Sequence, residues 1–484
     1  MKQRAPILII VLLGLSLRLY HLGYHDLWYD EAKSISIADS FLIRPFFYAV
    51  LYFWTKIFGL SEFSVRFPAL IFSTLSIPSL YALGKKLFNP KVAIIAAAIM
   101  ALSPFQIWYG QEARHYSAGL FFSITSTYSL IMLMKGGRRY WIYLLITSVL
   151  GSCTGEFYLV LFLTQLLILV AYIRLDPTKS NIKSFLVFLL AVCLLLAPFF
   201  NNYLLRFNYI KGGFWIPAPD MRSLMITFEN LLAGYNLSKT YYLAADILIL
   251  LLLFAAFRHI YNDKGTSHGL YICLFLTALP IISIYVFSKF IFSIYLDRGM
   301  IVFSPYFYLL LSAGIYSLSG KRRTFYVYTA MCLLFCLGLG SFYQDRMSAS
   351  FRHHIGTYIK KPVKPLIKFI DENSKGDDII AFTNRSTLPS FRLFSSKTRE
   401  YYEFYDPGLP DTDWNRPFKE TPYCIPKRKV PFLKTSRIWV IASDWSHDGG
   451  LDEQSKSVKE YLDKTMNPVS SKNINGNWVF QYVK

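Results

Sequence analysis

The chain has 484 residues, 54% of them hydrophobic and only 17% charged, a balance too apolar for an ordinary soluble domain. Aromatics reach 18%, with 41 Phe and 35 Tyr, which suits lipid-facing spans bounded by interfacial rings. The net charge of +21 gathers in short loops between apolar runs and reads as topology charge; no basic stripe with interleaved aromatics points to nucleic acid, while anionic lipids or a phosphate-bearing substrate stay open.

The N-terminus, MKQRAPILIIVLLGLSLRLY, is followed by no small-residue cleavage site and reads as a retained first helix. Apolar runs long enough to cross a bilayer are predicted at 5–22, 62–84, 90–107, 116–134, 140–154, 157–173, 184–200, 241–257, 268–288, 299–318 and 324–342, eleven spans in all. Lys85, Lys86, Lys91, Lys135, Arg138, Arg139, Arg174, Lys179, Lys183, Arg258, Lys264, Lys321, Arg322 and Arg323 fall in loops on one side, and Lys2 and Arg4 join them. By the positive-inside tendency that side is cytoplasmic. The N-terminus is then inside, and the tail after 342 lies outside with Asp30 and Glu31.

Two outer loops are long. Residues 23–61 hold amphipathic pieces, SISIADSF and PFFYAVLYFWTKIFG, which read as interfacial segments. Residues 201–240, with FWIPAP and Gly212–Gly213, read as a mobile, lipid-adjacent cover. The composition then turns polar. KPLIKFIDEN and SVKEYLDKTM read as helices, DDIIAFT and RIWVIAS as strands, and NINGNWVFQYV as a hairpin turning at Asn475–Gly476. The expected fold is therefore a polytopic α-helical membrane protein with a C-terminal extracytoplasmic α/β domain, divided into residues 1–342 and 343–484. Five cysteines lie in or at the ends of apolar runs and Cys424 stands alone in the tail, so there is no disulfide framework; this suits a bacterial cell envelope.

Ionised groups near bilayer depth are costly and mark candidate sites. The first is LWYDEA, Leu27 to Ala32, directly after the first span. Asp30 or Glu31 there can act as general base on an acceptor hydroxyl or hold a divalent cation. On spacing alone, a solvated loop acid outweighs both readings. The second is SPFQIWYGQEARHY, where Glu112 and Tyr116 are predicted to share a helix face while Arg114 points elsewhere. Such a set binds phosphate or sugar hydroxyls, or closes the bundle as a structural ion pair. Arg66 and Arg298 each open a span near the outer interface. Each reads equally as a bidentate phosphate ligand or a snorkelling anchor, and Asp297 offers Arg298 a partner. Glu156 either faces a cavity or marks a turn, and the adjacent His353 and His354 make a poor metal pair.

These pieces, in this order, resemble the bacterial GT-C membrane glycosyltransferases, specifically the protein O-mannosyltransferases and the lipid A aminoarabinose transferases. Four segments carry the resemblance: LWYDEA; RPFFYAVLYFWTKIFGLSEFSVRFPAL; ALSPFQIWYGQEARHYSAGLF; and IYLDRGMIVFSPYFYLLLSAGI. Two departures stand out. Arg44-Pro45-Phe46 replaces a His or Lys before a double Pro, and Asp297-Arg298-Gly299 replaces the common Arg-Tyr.

The resemblance implies a donor sugar, hexosyl or pentosyl, on a polyprenyl phosphate, and a lipid, glycan or protein acceptor outside the bacterial cytoplasmic membrane. Asp30 matches the family's catalytic aspartate, implying an inverting attack with Asp30 as base. Arg66, Arg114 and Arg298 are implied to meet the leaving phosphate, and Glu31, Glu112 and Tyr116 to orient groups or bind sugar hydroxyls. Family members differ in metal use, so a divalent cation stays open and no other cofactor is implied. The competing readings are a flippase or transporter of lipid-linked sugars, an oligosaccharide ligase with a lipid diphosphate donor, and a non-catalytic assembly partner. A transporter often shows an internal repeat and interrupted mid-membrane spans. Here the polar groups sit at the outer span ends and no repeat is visible.

Overall fold

Long apolar runs leave the backbone no polar partner but itself, so they wind into helices. The computed structural model describes residues 4–38, 45–175, 179–211, 215–236, 238–262, 267–318, 320–346, 353, 355, 360–384, 386–409, 423–443 and 450–484. Lys2, Arg44, Gly212, Gly213, Lys264 and His354, singled out above, lie outside the described residues. In chain order the helices are α1 (Arg4–Leu19), α2 (Tyr29–Ser36), α3 (Pro45–Phe58), α4 (Glu62–Leu87), α5 (Pro90–Leu102), α6 (Pro104–Gly110), α7 (Tyr116–Met134), α8 (Tyr140–Ser152), α9 (Glu156–Leu175), α10 (Lys179–Leu196), α11 (Phe200–Lys211), α12 (Met221–Ala233), α13 (Lys239–Asn262), α14 (Ser267–Phe290), α15 (Ser304–Ser317) and α16 (Lys321–Tyr343).

Among the described residues, eight helices are long and apolar enough to cross a membrane, as in a multi-pass membrane protein. The predicted 90–107 span is a pair, α5 and α6, bent by 59°, because Pro104 cannot continue the ladder of α5. The predicted spans 5–22 and 140–154 fall on shorter apolar helices, Ala5–Leu19 and Tyr140–Ser152. The 201–240 loop, expected to be a mobile, lipid-adjacent cover, is largely helical where described, through α11 and α12. The span Asp297–Ser317 is 94% buried and forms the centre, whereas Asn181–Asn208 is 11% buried and forms the rim. At the centre α13 meets α15 backbone to backbone: a Cβ on Gly314 would lie 2.1 Å from Leu252 O.

The tail adds α17 (Lys364–Asn373), β1 (Ile379–Phe382), α18 (Leu388–Phe394), β2 (Tyr401–Tyr405), β3 (Tyr423–Pro426), β4 (Arg437–Ser443), α19 (Glu453–Thr465), β5 (Asn467–Ile474) and β6 (Asn477–Val483). The six strands form one sheet in the order β3-β2-β1-β4-β6-β5. The first four run parallel, and β6 turns back against β4 and β5. A parallel sheet needs both faces covered. Ile380, Phe382, Trp439 and Ile441 pack with α17 and α18 residues on one face. Ile379, Ala381, Ile438 and Val440 pack with Val458 and Leu462 of α19 on the other. The β5–β6 hairpin turns at Asn475 (φ 54) and Gly476 (φ 82), as the Asn-Gly pair requires.

The chain divides into two compact units, and the division differs from the expected one at residue 342. The first unit is Met1–Leu22, Ala38–Ile210 and Ile216–Ile359; the second is Gly23–Ile37, Lys211–Trp215 and Lys360–Lys484. The reason is a set of bonds that tie the first outer loop to the tail. Asp26 Oδ2 accepts from the amides of Val363 and Lys364, at 2.7 and 2.8 Å, at the start of α17. Ser390 Oγ of α18 donates to Leu27 O at 3.3 Å, and α2 packs on α18.

Candidate active site

In the second unit, Asp30 and Glu31 fall in the first turn of α2, where the helix dipole favours acids. The two neighbours are treated differently. Glu31 is fully buried, with Lys360 Nζ 3.2 Å from its Oε2. Asp30 is half-buried, and its backbone carbonyl accepts from Ser34 Oγ at 2.7 Å. Next to them Lys33 Nζ donates to Tyr29 OH at 2.9 Å. Burying an unpaired carboxylate costs on the order of several kcal/mol, so Glu31 is committed to Lys360. Of the pair, Asp30 is the residue that keeps some exposure to solvent.

In the first unit the QEARHY segment is a bend, not a helix. The α6 helix stops at Gly110 and α7 starts at Tyr116, so Glu112 and Tyr116 do not share a helix face as predicted. Arg114, predicted to point elsewhere, lies with its Cζ 5.6 Å from the centre of the Tyr116 ring. Glu112 is fully buried and its carbonyl accepts from the Arg114 amide at 2.6 Å. Gln111 Nε2 reaches the carbonyls of Arg18 at 2.9 Å and Tyr20 at 2.6 Å. Arg66 Nη1 donates to Leu22 O at 2.9 Å, so Arg66 and Gln111 converge on the C-terminal end of α1. Arg66 is 1% exposed, which excludes the snorkelling anchor; Arg298, at 7%, is buried as well.

Asp297 meets Arg298 through its backbone: Oδ1 accepts from the Arg298 amide at 2.8 Å. Its Oδ2 accepts from Asn230 Nδ2 at 2.5 Å and from Tyr235 OH at 3.4 Å. Tyr235 and Tyr109 share a hydrogen bond at 2.6 Å. Asn230 Nδ2 also donates to the carbonyl of His353, whose Nε2 lies 3.0 Å from Glu229 Oε2 and whose ring stacks on Tyr242. Glu156 pairs with Arg206, which ties the start of α9 to α11.

The structure therefore brings Arg114 and Tyr116 together, gathers Arg66 at the end of α1, and holds Arg298 in a separate polar layer with Asp297. Sequence reasoning passed over Arg18, Asn230 and Tyr235. Arg18, a lone cation inside an apolar run, was the readable signal. It is fully buried and donates to Ser73 Oγ at 2.7 Å and to the carbonyls of Gly14, Ala101 and Met100 at 3.0 Å. Met100 O has no α-helical donor because its partner at i+4 is Pro104. Arg18 thus caps the broken end of α5 and fixes the bend that carries QEARHY. Among the described residues, no three His, Cys, Asp or Glu side chains group closely enough to hold a metal ion.

Residues 44–203 match the family model described as dolichyl-phosphate-mannose-protein mannosyltransferase. The crystal structure of ArnT from Cupriavidus metallidurans bound to undecaprenyl phosphate superposes with a TM-score of 0.66 at 11% identity, covering 98% of this chain and 97% of that one. The chain has the GT-C fold. The apo form of the same ArnT gives a TM-score of 0.65 over the same shares at 11% identity. The Archaeoglobus fulgidus oligosaccharyltransferase in complex with Zn and sulfate gives 0.52 at 11% identity, covering 98% of this chain and 72% of that one. No curated protein matches by sequence. The GT-C resemblance drawn from the four motif segments thus extends along nearly the whole chain as a likeness of fold.

Proposed function

We propose that this GT-C chain is an integral membrane glycosyltransferase that moves a sugar from a polyprenyl-phosphate donor to an acceptor hydroxyl. The observation that carries the reading is the unequal treatment of the adjacent acids: Lys360 neutralises buried Glu31, while Asp30 keeps some exposure to solvent. The whole-length likeness to an undecaprenyl-phosphate-bound transferase supports the donor class. Asp30 takes the proton as the acceptor oxygen attacks the anomeric carbon, the bond from that carbon to the phosphate oxygen breaks, and polyprenyl phosphate leaves with inversion. The leaving phosphate gains charge, so guanidiniums stabilise it. Arg114 is half-buried and braced by the Tyr116 ring, which fits it best for that role; Arg66, bonded to the Leu22 carbonyl, and Arg298 are both buried. Glu112 holds the turn. A cation at the adjacent acids would have to draw Glu31 away from Lys360.

We place the protein in a bacterial cytoplasmic membrane with its N-terminus inside. The bent α5–α6 pair and the shorter helices α1 and α8 supply the crossings beyond the eight long spans. The sheet unit then lies outside, where the acceptor, a lipid, glycan or protein, is met. The test is mass spectrometry of polyprenyl-linked sugars and envelope glycans in cells carrying wild type or Asp30→Asn at equal membrane abundance. The expected result is a donor that accumulates and one glycan modification that disappears. Unchanged lipids and glycans would remove Asp30 from catalysis, and donor trapped on the cytoplasmic face would indicate a flippase.

A further inference from the structure

In the first unit, the stretch 217–227 and the turn entering α15 enclose a cleft of about 140 Å³. Pro217, Pro219, Ile226, Leu296 and Ile355 give it apolar walls, and Ser223, Thr227, Tyr295 and Asp297 add polar atoms, with Asp220 at the rim. The hydrogen bonds fix which protons are spent. Thr227 Oγ1 donates to Ser223 O at 3.0 Å, so in its 2.8 Å contact with Tyr295 the phenol is the donor. Ser223 Oγ donates to Asp220 Oδ1 at 2.9 Å. Every side-chain hydroxyl of the wall has thus given its proton to the protein, and what faces a guest is acceptor capacity.

Asp297 supplies the strongest acceptor. Its three hydrogen bonds, from Asn230, Tyr235 and the Arg298 amide, leave room for another, since a carboxylate offers about four lone-pair sites. Burial pushes the Tyr295 phenol up, so it stays neutral and its oxygen accepts. Behind the wall, Asn230 Oδ1 has no hydrogen-bond partner among the described residues. An ionisable group at the mouth of a span is costly, so Asp297 is a candidate for a binding role beside its structural bonds. A cleft of about 140 Å³ holds about five waters, roughly the volume of the six-atom ring of a pyranose, so the ring enters and its outer substituents stay at the mouth. Proline walls suit its C–H face.

We infer that this cleft binds the ring of one monosaccharide, with Asp297 and Tyr295 accepting hydrogen bonds from its hydroxyl groups. The choice of ligand class rests on the glycosyl-transfer reading. The binding itself does not require Asp30, so the two ideas fail separately. The sugar comes from the donor or from a glycan acceptor, and the chemistry of recognition is the same.

The test is saturation-transfer NMR on the full chain in nanodiscs, with the methyl pyranosides of mannose, glucose, galactose and xylose as probes. Saturation should reach at least one of them in wild type and in Asp30→Asn. Asp297→Asn and Tyr295→Phe should each weaken it at least about tenfold, as loss of a charged or buried hydrogen bond implies. If Asp297→Asn melts early, Tyr295→Phe, which removes one oxygen, decides. No transfer to any probe in wild type, or transfer unchanged in folded Asp297→Asn and Tyr295→Phe, overturns the inference. A short-chain prenyl-phosphate mannose that displaces the methyl mannoside assigns the cleft to the donor sugar; displacement by acceptor glycan alone assigns it to the acceptor.

Discussion

Gly110 is the point of the Arg18 lock that presses on Ser73, and Gly110→Ala tests it. A Cβ there would meet Ser73 Oγ at 2.7 Å, Ser73 Cβ at 3.1 Å and Arg18 Nε at 3.4 Å. Ser73 Cβ is fixed to the backbone of α4, so the hydroxyl has to leave its 2.7 Å bond with Arg18 or the helices have to part. A lost hydrogen bond to a charged group costs about 1.5–3 kcal/mol. Overpacking adds about 1–3 kcal/mol. Gly110→Ala is therefore expected to cost about 3–5 kcal/mol, taking both contributions near their middle values. Ser73→Ala alone strands one buried guanidinium donor at about 1–3 kcal/mol. The double variant removes the oxygen that the new methyl strikes, so the two costs should not add; a coupling of about 1–2 kcal/mol is expected between touching groups. The assay is detergent-induced unfolding of purified protein, wild type against both singles and the double. Strict additivity, or a Gly110→Ala midpoint equal to wild type, would refute the argument that Arg18 holds the α5–α6 bend through Ser73.

Asp30→Asn and Glu31→Gln should separate activity from stability: the first lowers transfer by about 10²–10⁴-fold with an unchanged melt. The second breaks the buried Lys360–Glu31 pair and costs about 3 kcal/mol, read in the same unfolding assay; equal effects on both readouts would contradict the division of labour. Asp406 is partly buried, which raises its carboxyl, but Lys427, Ser457 and the Gly408 amide outweigh that and hold it below the ordinary value. Its contribution is therefore complete above the unfolded carboxylate value and is lost as pH falls through the lower folded one. Hydrogen exchange at β2 in the full chain should rise over that acid window in wild type, and Asp406→Asn should flatten the rise. Gly314→Ala drives a methyl into Leu252 O and should cost at least about 1–3 kcal/mol by overpacking, whereas Gly340→Ala, with open space around its Cβ position, should be neutral.

The spans were legible because a bilayer-length apolar run has few alternatives to a helix. The tail was legible where a face is buried: KPLIKFIDEN is α17 and RIWVIAS is β4, residue for residue. Strands β2 and β3 and most of β5 escaped. All eight residues of β5 carry little or no burial, so no alternation marks it, and β3 is a short outer strand ending in Pro426. At the site, Asp30, Glu31 and the QEARHY segment could be singled out, but not the bend at 111–115, since i, i+4 spacing is the same whether or not the helix continues.

Hydropathy and motif order therefore determine, from the sequence by itself, a many-helix membrane protein with a sheet-containing tail and a short set of candidate acids and arginines. Which of two adjacent carboxylates is sealed is a different kind of fact. Lys360, far along the chain, pairs with buried Glu31, while Asp30 stays partly exposed. Asp26 caps a helix in the tail, so the Asp-Glu segment belongs to the sheet unit although it follows the first span directly. Arg18 draws on the Met100 carbonyl, which a distant proline leaves without its helical donor. These partners are set by close packing and by the cost of any buried polar group left unpaired, and both act between residues remote in sequence, so only the tertiary structure decides them.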